Sequence, residues 1–132
     1  MNVIEWYFCF HRPHVESLWG FLGHVEVFGY TQDDTWIFFD PGRVKTRLFA
    51  VHKHDEVEEH MARRFCEKTE IIRTSYSRDR TFPPMLLPMN CVSQCASLIG
   101  LRALTPWGLR RKLLQNGAEV IHGRRRRRVE RR

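Results

Sequence analysis

The chain has 132 residues, 42% of them hydrophobic, and a formal net charge of +7, which suits one compact domain with a real core and is too short for two. Arg124, Arg125, Arg126, Arg127, Arg128, Arg131 and Arg132 supply seven positive charges and Glu130 removes one, so the last nine residues carry +6 and the preceding 123 stand at +1. That split argues against a fold that is basic over its whole surface, and no apolar run approaches the roughly 20 residues of a membrane-spanning helix.

Val3 to Arg12 is aromatic and apolar with short polar interruptions, the pattern of a buried strand. Pro13 ends it and opens a short helix, in which Val15, Leu18, Trp19 and Leu22 recur at helical spacing before Gly23. His24 to Tyr30 partly alternates as a strand, with His24, Glu26 and Phe28 on one face and Val25 and Val27 on the other. Thr31-Gln32-Asp33-Asp34 is turn chemistry, and Thr35 to Asp40 reads as an interior strand stopped by Pro41-Gly42. The short connection predicts an antiparallel hairpin, and Arg43 to Val51 adds a further strand.

His52 to Glu67 is highly charged, with Val57, Met61, Arg64 and Phe65 forming one weak stripe of a surface helix. Thr69 to Tyr76 is a strand. Ser77 to Met89 holds three prolines and no period, which predicts a loop. Asn90 is a good N-cap for a helix whose Val92, Cys95, Ala96 and Ile99 fall at core-facing spacing and which Gly100 closes. Thr105-Pro106 starts another helix through Leu109, Leu113 and Leu114 to Asn116-Gly117, and Ala118 to His122 suits a last strand. The expected architecture is an α+β domain over residues 1–123, a small antiparallel sheet packed against a cysteine-bearing helix. From residue 124 onward the arginines cannot bury apolar surface, and a disordered tail is expected.

Cys9, Cys66, Cys91 and Cys95 are sparse for a disulfide framework, and Met1 to Phe8 lacks the basic start of a signal peptide, so a soluble, intracellular protein with reduced thiols is expected. Cys91 has the most informative setting. At the first turn of a helix, unpaired N–H groups favour thiolate and can bring a cysteine pKa from about 8.5 to about 3.5–7.5. A thiol nucleophile also needs an imidazole beside it and a polar group to orient that imidazole. His24 on one strand and Asp40 at the end of the next can supply both, and the Cys91 backbone N–H can serve an oxyanion hole. Taken singly, Cys91 also suits a small core residue, His24 a packed side chain and Asp40 a turn residue.

Together, His24 within Gly23-His24-Val25, Asp40 after Trp36-Ile37-Phe38-Phe39, and Cys91 within Asn90-Cys91-Val92 resemble the circularly permuted branch of the papain-like superfamily that includes the NlpC/P60 hydrolases. Non-permuted relatives place the cysteine helix first; here the histidine strand precedes it. The same segments, with Gly100-Leu101 and Thr105-Pro106, are similar to small proteins of phages and their bacterial hosts. The resemblance implies a thiol hydrolase with Cys91 as nucleophile, His24 as base and Asp40 as orienting residue, acting without a cofactor on an amide, peptide or thioester.

Two other chemistries compete. His52, His54, Asp55, Glu56 and His60 gather metal-ligating types, with Glu56 and His60 four apart, yet there is no His-Glu-x-x-His motif and a solvated charged helix is the expectation, without a metal. The arginine tail suits salt-sensitive contact with nucleic acid or an acidic protein, without interleaved aromatics for base stacking. The alternative to a hydrolase is therefore a catalytically silent phage structural or accessory protein that binds through this tail. Neither the substrate nor the oligomeric state is legible.

Overall fold

The computed structural model describes residues 3–11, 23–42, 45–75 and 90–123. The helix expected at residues 13–22, the loop at 77–89 and the arginine tail lie outside the described residues. Among the described residues six strands form one sheet: β1 (Val3–His11), β2 (Val25–Thr31), β3 (Trp36–Pro41), β4 (Thr46–Val51), β5 (Thr69–Ser75) and β6 (Glu119–His122). Their order is β4-β3-β2-β1-β5-β6, and every neighbouring pair is antiparallel. The described residues also form three helices, α1 (His54–Arg64), α2 (Cys91–Ser97) and α3 (Pro106–Gln115). The fold class is α+β, as the hydrophobic patterning predicts.

The alternation of β1 and β2 gives the sheet two apolar faces. Trp6, Phe8 and Phe10 of β1, with Val25 and Val27 of β2, share one core with Val92, Cys95 and Ala96 of α2 and Leu109 and Leu113 of α3. Cys9, Phe28, Phe38 and Ile71 turn to the opposite face, where Val57 and Met61 of α1 cover them. Burial on both sides explains why β1 reads as a near-continuous apolar run. Across the β1–β2 pair Trp6 faces Gly29. A Cβ on Gly29 would lie 2.7 Å from the Trp6 ring, so the glycine makes room for the indole.

Boundaries follow hydrogen bonding more than residue type. β3 continues through Pro41, which pairs in register with Thr46, and the chain reverses at Gly42, whose N–H donates to the Lys45 carbonyl at 3.0 Å. Proline is tolerated there because it closes the strand next to β4, an edge of the sheet. Among the described residues no helix is long and apolar enough to cross a membrane.

Candidate active site

His24 stands one residue before β2, and its carbonyl accepts from the His11 N–H at 2.9 Å, tying it to the end of β1. The β2–β3 hairpin sets the position of Asp40. Thr31 closes the turn: its N–H donates to the Thr35 carbonyl at 2.9 Å, and its Oγ1 accepts from the N–H groups of Asp33 and Thr35. Asp34 takes a positive φ of 59° there, which aspartate accommodates more readily than most side chains. The resulting register pairs Val27 with Phe39. Continued by one residue, it places Asp40 diagonal to His24, within reach across antiparallel strands. Asp40 Oδ1 lies 2.5 Å from His24 Nε2.

Cys91 is the first residue of α2. Asn90 caps the helix: its Oδ1 accepts from the Ser93 N–H at 2.8 Å and its own N–H donates to Ser93 Oγ at 2.9 Å, a reciprocal capping box. The Asn90 amide also donates to the Leu104 carbonyl at 2.9 Å, fastening the helix start to the segment before α3. Behind Cys91, fully buried Cys95 donates weakly to the Val25 carbonyl at 3.6 Å, which seats α2 on the strand that follows His24. Cys91 remains half-buried, and the His24 and Asp40 side chains are 38% and 26% exposed, so the group opens to solvent.

The charges support one another. Burial pushes the Cys91 thiol up, but a hydrogen bond with His24 and backbone hydrogen bonds from Val25 and Val92 outweigh it and bring the thiol below its ordinary value. On His24 the hydrogen bond with Cys91 acts most strongly; burial opposes it, Asp40 adds a hydrogen bond and its charge, and the imidazole is raised to about 9. These opposite displacements are those of a thiolate–imidazolium pair. Cys95 and Cys9 are pushed far up by burial and are unsuited to nucleophilic work.

A second polar cluster adjoins the first. The His11 and His24 rings are 5.7 Å apart, centroid to centroid, and His11 Nε2 is 2.6 Å from Glu26 Oε2. Glu26, 6% exposed, also accepts at Oε1 from Arg64 Nε at 3.0 Å, while the Arg64 guanidinium lies over the Phe38 ring at 4.6 Å. Cys9, His11 and Glu26 are the one group of three metal-ligating types gathered within 4.8 Å among the described residues. Arg64, however, holds one carboxylate oxygen of Glu26; the other oxygen, His11 Nε2 and Cys9 Sγ partner one another, and burial pushes the Cys9 thiol up, away from the thiolate a metal would need. The cluster is a buried ion-pair network. Sequence reasoning missed it, although a signal was present: an arginine on the apolar stripe of α1 requires a buried acid, and Glu26 is the acid on the inner face of β2.

Of the residues expected from sequence, Cys91, His24 and Asp40 come together from positions spread along the chain. The His52 to His60 ligand types do not: His52 Nδ1 lies 3.0 Å from Thr35 Oγ1, exposed His54 pairs with Glu58, and His60 packs against the stacked Phe38 and Phe49 rings. Arg124 to Arg128, Arg131 and Arg132 lie outside the described residues. Comparison with family models, curated proteins and solved structures finds no match to this chain.

Proposed function

We propose that the protein is a thiol hydrolase or acyl transferase of amide, peptide or thioester bonds, built on a permuted papain-like, NlpC/P60-type arrangement. The observation that carries this reading is the convergence of Asp40, His24 and Cys91, in which the carboxylate meets the imidazole at 2.5 Å, and His24 draws the Cys91 thiol below its ordinary value while Cys91 and Asp40 raise the imidazole. Support for the family reading is the order of its parts, a histidine strand, an acid on the next strand and a cysteine opening the helix that packs on them.

In this mechanism the Cys91 thiolate attacks the carbonyl carbon, and the electron pair of the C=O bond moves onto oxygen. As the first residue of its helix, Cys91 has no helical acceptor for its N–H, which is the donor assigned to the developing oxyanion. Collapse expels the leaving group, which takes its proton from the His24 imidazolium, and leaves an acyl-cysteine. Neutral His24 then removes a proton from water, whose oxygen attacks the acyl carbon and releases Cys91 as thiolate. Asp40 keeps the ring in one orientation and stabilises its cationic form.

Incubation with an activated acyl ester followed by peptide mass mapping tests this reading. Acylation of Cys91 in the wild type, absent in Cys91→Ser and strongly slowed in His24→Ala, is the expected result. Acylation confined to exposed Cys66 would remove the hydrolase.

A further inference from the structure

The buried ion-pair network touches the candidate site at one point, His11. Phe10 of β1 pairs with Val25 of β2. One residue further on, His11 stands opposite His24, whose carbonyl accepts from its N–H at 2.9 Å. Directly opposed residues of antiparallel strands point to one face, and here the two imidazoles meet, with ring centroids 5.7 Å apart and planes inclined at 32°. Each ring is backed by a carboxylate from a neighbouring strand. Glu26, the partner of Cys9 in the β1–β2 register, reaches diagonally to His11 Nε2 at 2.6 Å, much as Asp40 reaches His24 Nε2 at 2.5 Å. The two carboxylates differ in how firmly they are held. Asp40 is partly open to water, whereas buried Glu26 is gripped by Arg64, through Nε at 3.0 Å and Nη2 at 2.9 Å. Arg64 Nη1 in turn donates to the His60 carbonyl within α1 at 2.8 Å. A run of fixed groups therefore leads from α1 through Arg64, Glu26 and His11 to the His24 ring.

We infer that His11 is a positioning residue of the candidate site: fixed by the buried Glu26–Arg64 pair, its ring holds the His24 imidazole in the orientation that serves Cys91. The side chain of His24 is 38% exposed, and water competes for its hydrogen bond to Asp40. Asp40 restrains one edge of the ring, and His11 packs against the ring itself. Ionised Glu26 can only accept, so the proton between the two groups resides on His11 Nε2, and that bond fixes the rotation of the His11 ring. Cys9 Sγ, 3.6 Å from the same nitrogen, stays a neutral thiol because burial pushes it up. Arg64 already balances the Glu26 charge, so what the imidazole adds is an oriented planar surface against His24. Acid–base work needs such support, since a reacting group must be held to within about 0.5 Å by residues that are themselves locked. The inference rests on the Cys91–His24 reading and supplies the part that keeps the base in place.

The test follows two readouts on the full chain, acylation of Cys91 by an activated acyl ester and the pH profile of its alkylation by iodoacetamide. Misplacing a reacting group by about 1 Å can cost about 100-fold in rate, so His11→Ala is expected to slow acylation by about 10- to 100-fold. Its alkylation profile should move up, part of the way to that of His24→Ala, while Arg64 still pairs Glu26 and the thermal melt stays near that of the wild type. His11→Gln, whose amide can donate to Glu26 from a similar reach, is expected to restore most of the rate and of the profile. His11→Phe, which fills the space without the donor, is not. An alkylation profile unchanged in His11→Ala, or equal recovery by phenylalanine and glutamine, would overturn the positioning role; the glutamine–phenylalanine comparison decides the matter if the alanine variant does not fold. The underlying reading fails separately: a wild-type profile equal to that of His24→Ala would remove the thiolate–imidazolium pair, and the role of His11 with it, before any His11 variant is compared.

Discussion

Glu26 and Arg64 carry the largest single-residue consequence for stability. A carboxylate 6% exposed and a guanidinium 9% exposed hold each other, with His11 on the carboxylate and the His60 carbonyl and Phe38 ring on the guanidinium. Removing one partner of such a pair strands a buried charge, so Arg64→Ala is expected to lower the unfolding free energy by about 3–5 kcal/mol in urea melts. Replacing both, Glu26→Gln with Arg64→Met, is expected to recover most of that loss. Burial raises the Glu26 carboxyl, yet hydrogen bonds and charge from His11 and Arg64 overcome it and leave the group below its ordinary value. The sign follows: its contribution to stability is present above the ordinary carboxylate range and is lost as pH falls through the lowered value. At the candidate site the signs differ. His24 is raised to about 9 from 6.5, so its favourable interactions are complete below 6.5 and disappear as pH rises through about 9. The thiolate–imidazolium pair titrates as a unit, and the rate of Cys91 acylation is expected to be bell-shaped, with its alkaline limb near pH 9. In Asp40→Asn the carboxylate's hydrogen bond and charge are gone, and that limb moves to lower pH.

At the scale of elements, the start of α2 and the middle of β2 are the most sensitive to change. Asn90→Ala removes the capping box and the tie to Leu104, and is expected to cost about 1 kcal/mol, with slower acylation of Cys91 because the helix start is less firmly placed. Gly29→Val forces a side chain into the Trp6 ring; thermal melts are expected to show a loss of about 1–3 kcal/mol, the usual range for overpacking. Most elements were legible because their cause is local. Alternating or continuous apolar runs mark β1, β2 and β3, Asn90 and Thr105 cap their helices as expected, and the hairpin turn has ordinary turn residues. The candidate triad was legible for a related reason, since each member sits at an element boundary with a motif of its own. The His11–Glu26–Arg64 network was not, because it depends on which face of α1 meets the sheet, a long-range fact that periodicity in one segment does not contain. Nor could linear spacing show that Trp107 stays outside the core while Leu109 and Leu113 enter it.

The molecule as a whole places β1 between β2 and β5, with helices over both faces, while β4 and β6 form the edges. Native-state hydrogen exchange is expected to find the slowest amides in β1 and β2 and faster exchange in β4, most of whose residues are exposed. This arrangement also creates the candidate site, since residues 24, 40 and 91 meet only when β2, β3 and α2 are packed together. A perturbed Cys91 thiol is therefore a property of the folded molecule, and its pH-dependent alkylation is the most direct test of the central claim. Iodoacetamide labelling of each cysteine, resolved by mass spectrometry, should show Cys91 reacting well below pH 8, buried Cys9 and Cys95 protected, and exposed Cys66 giving the reference rate. In His24→Ala, and in the unfolded wild type, the Cys91 profile should move up to that of an ordinary thiol. A folded wild type in which Cys91 labels no earlier than an ordinary thiol, or whose profile is the same in His24→Ala, would contradict the account.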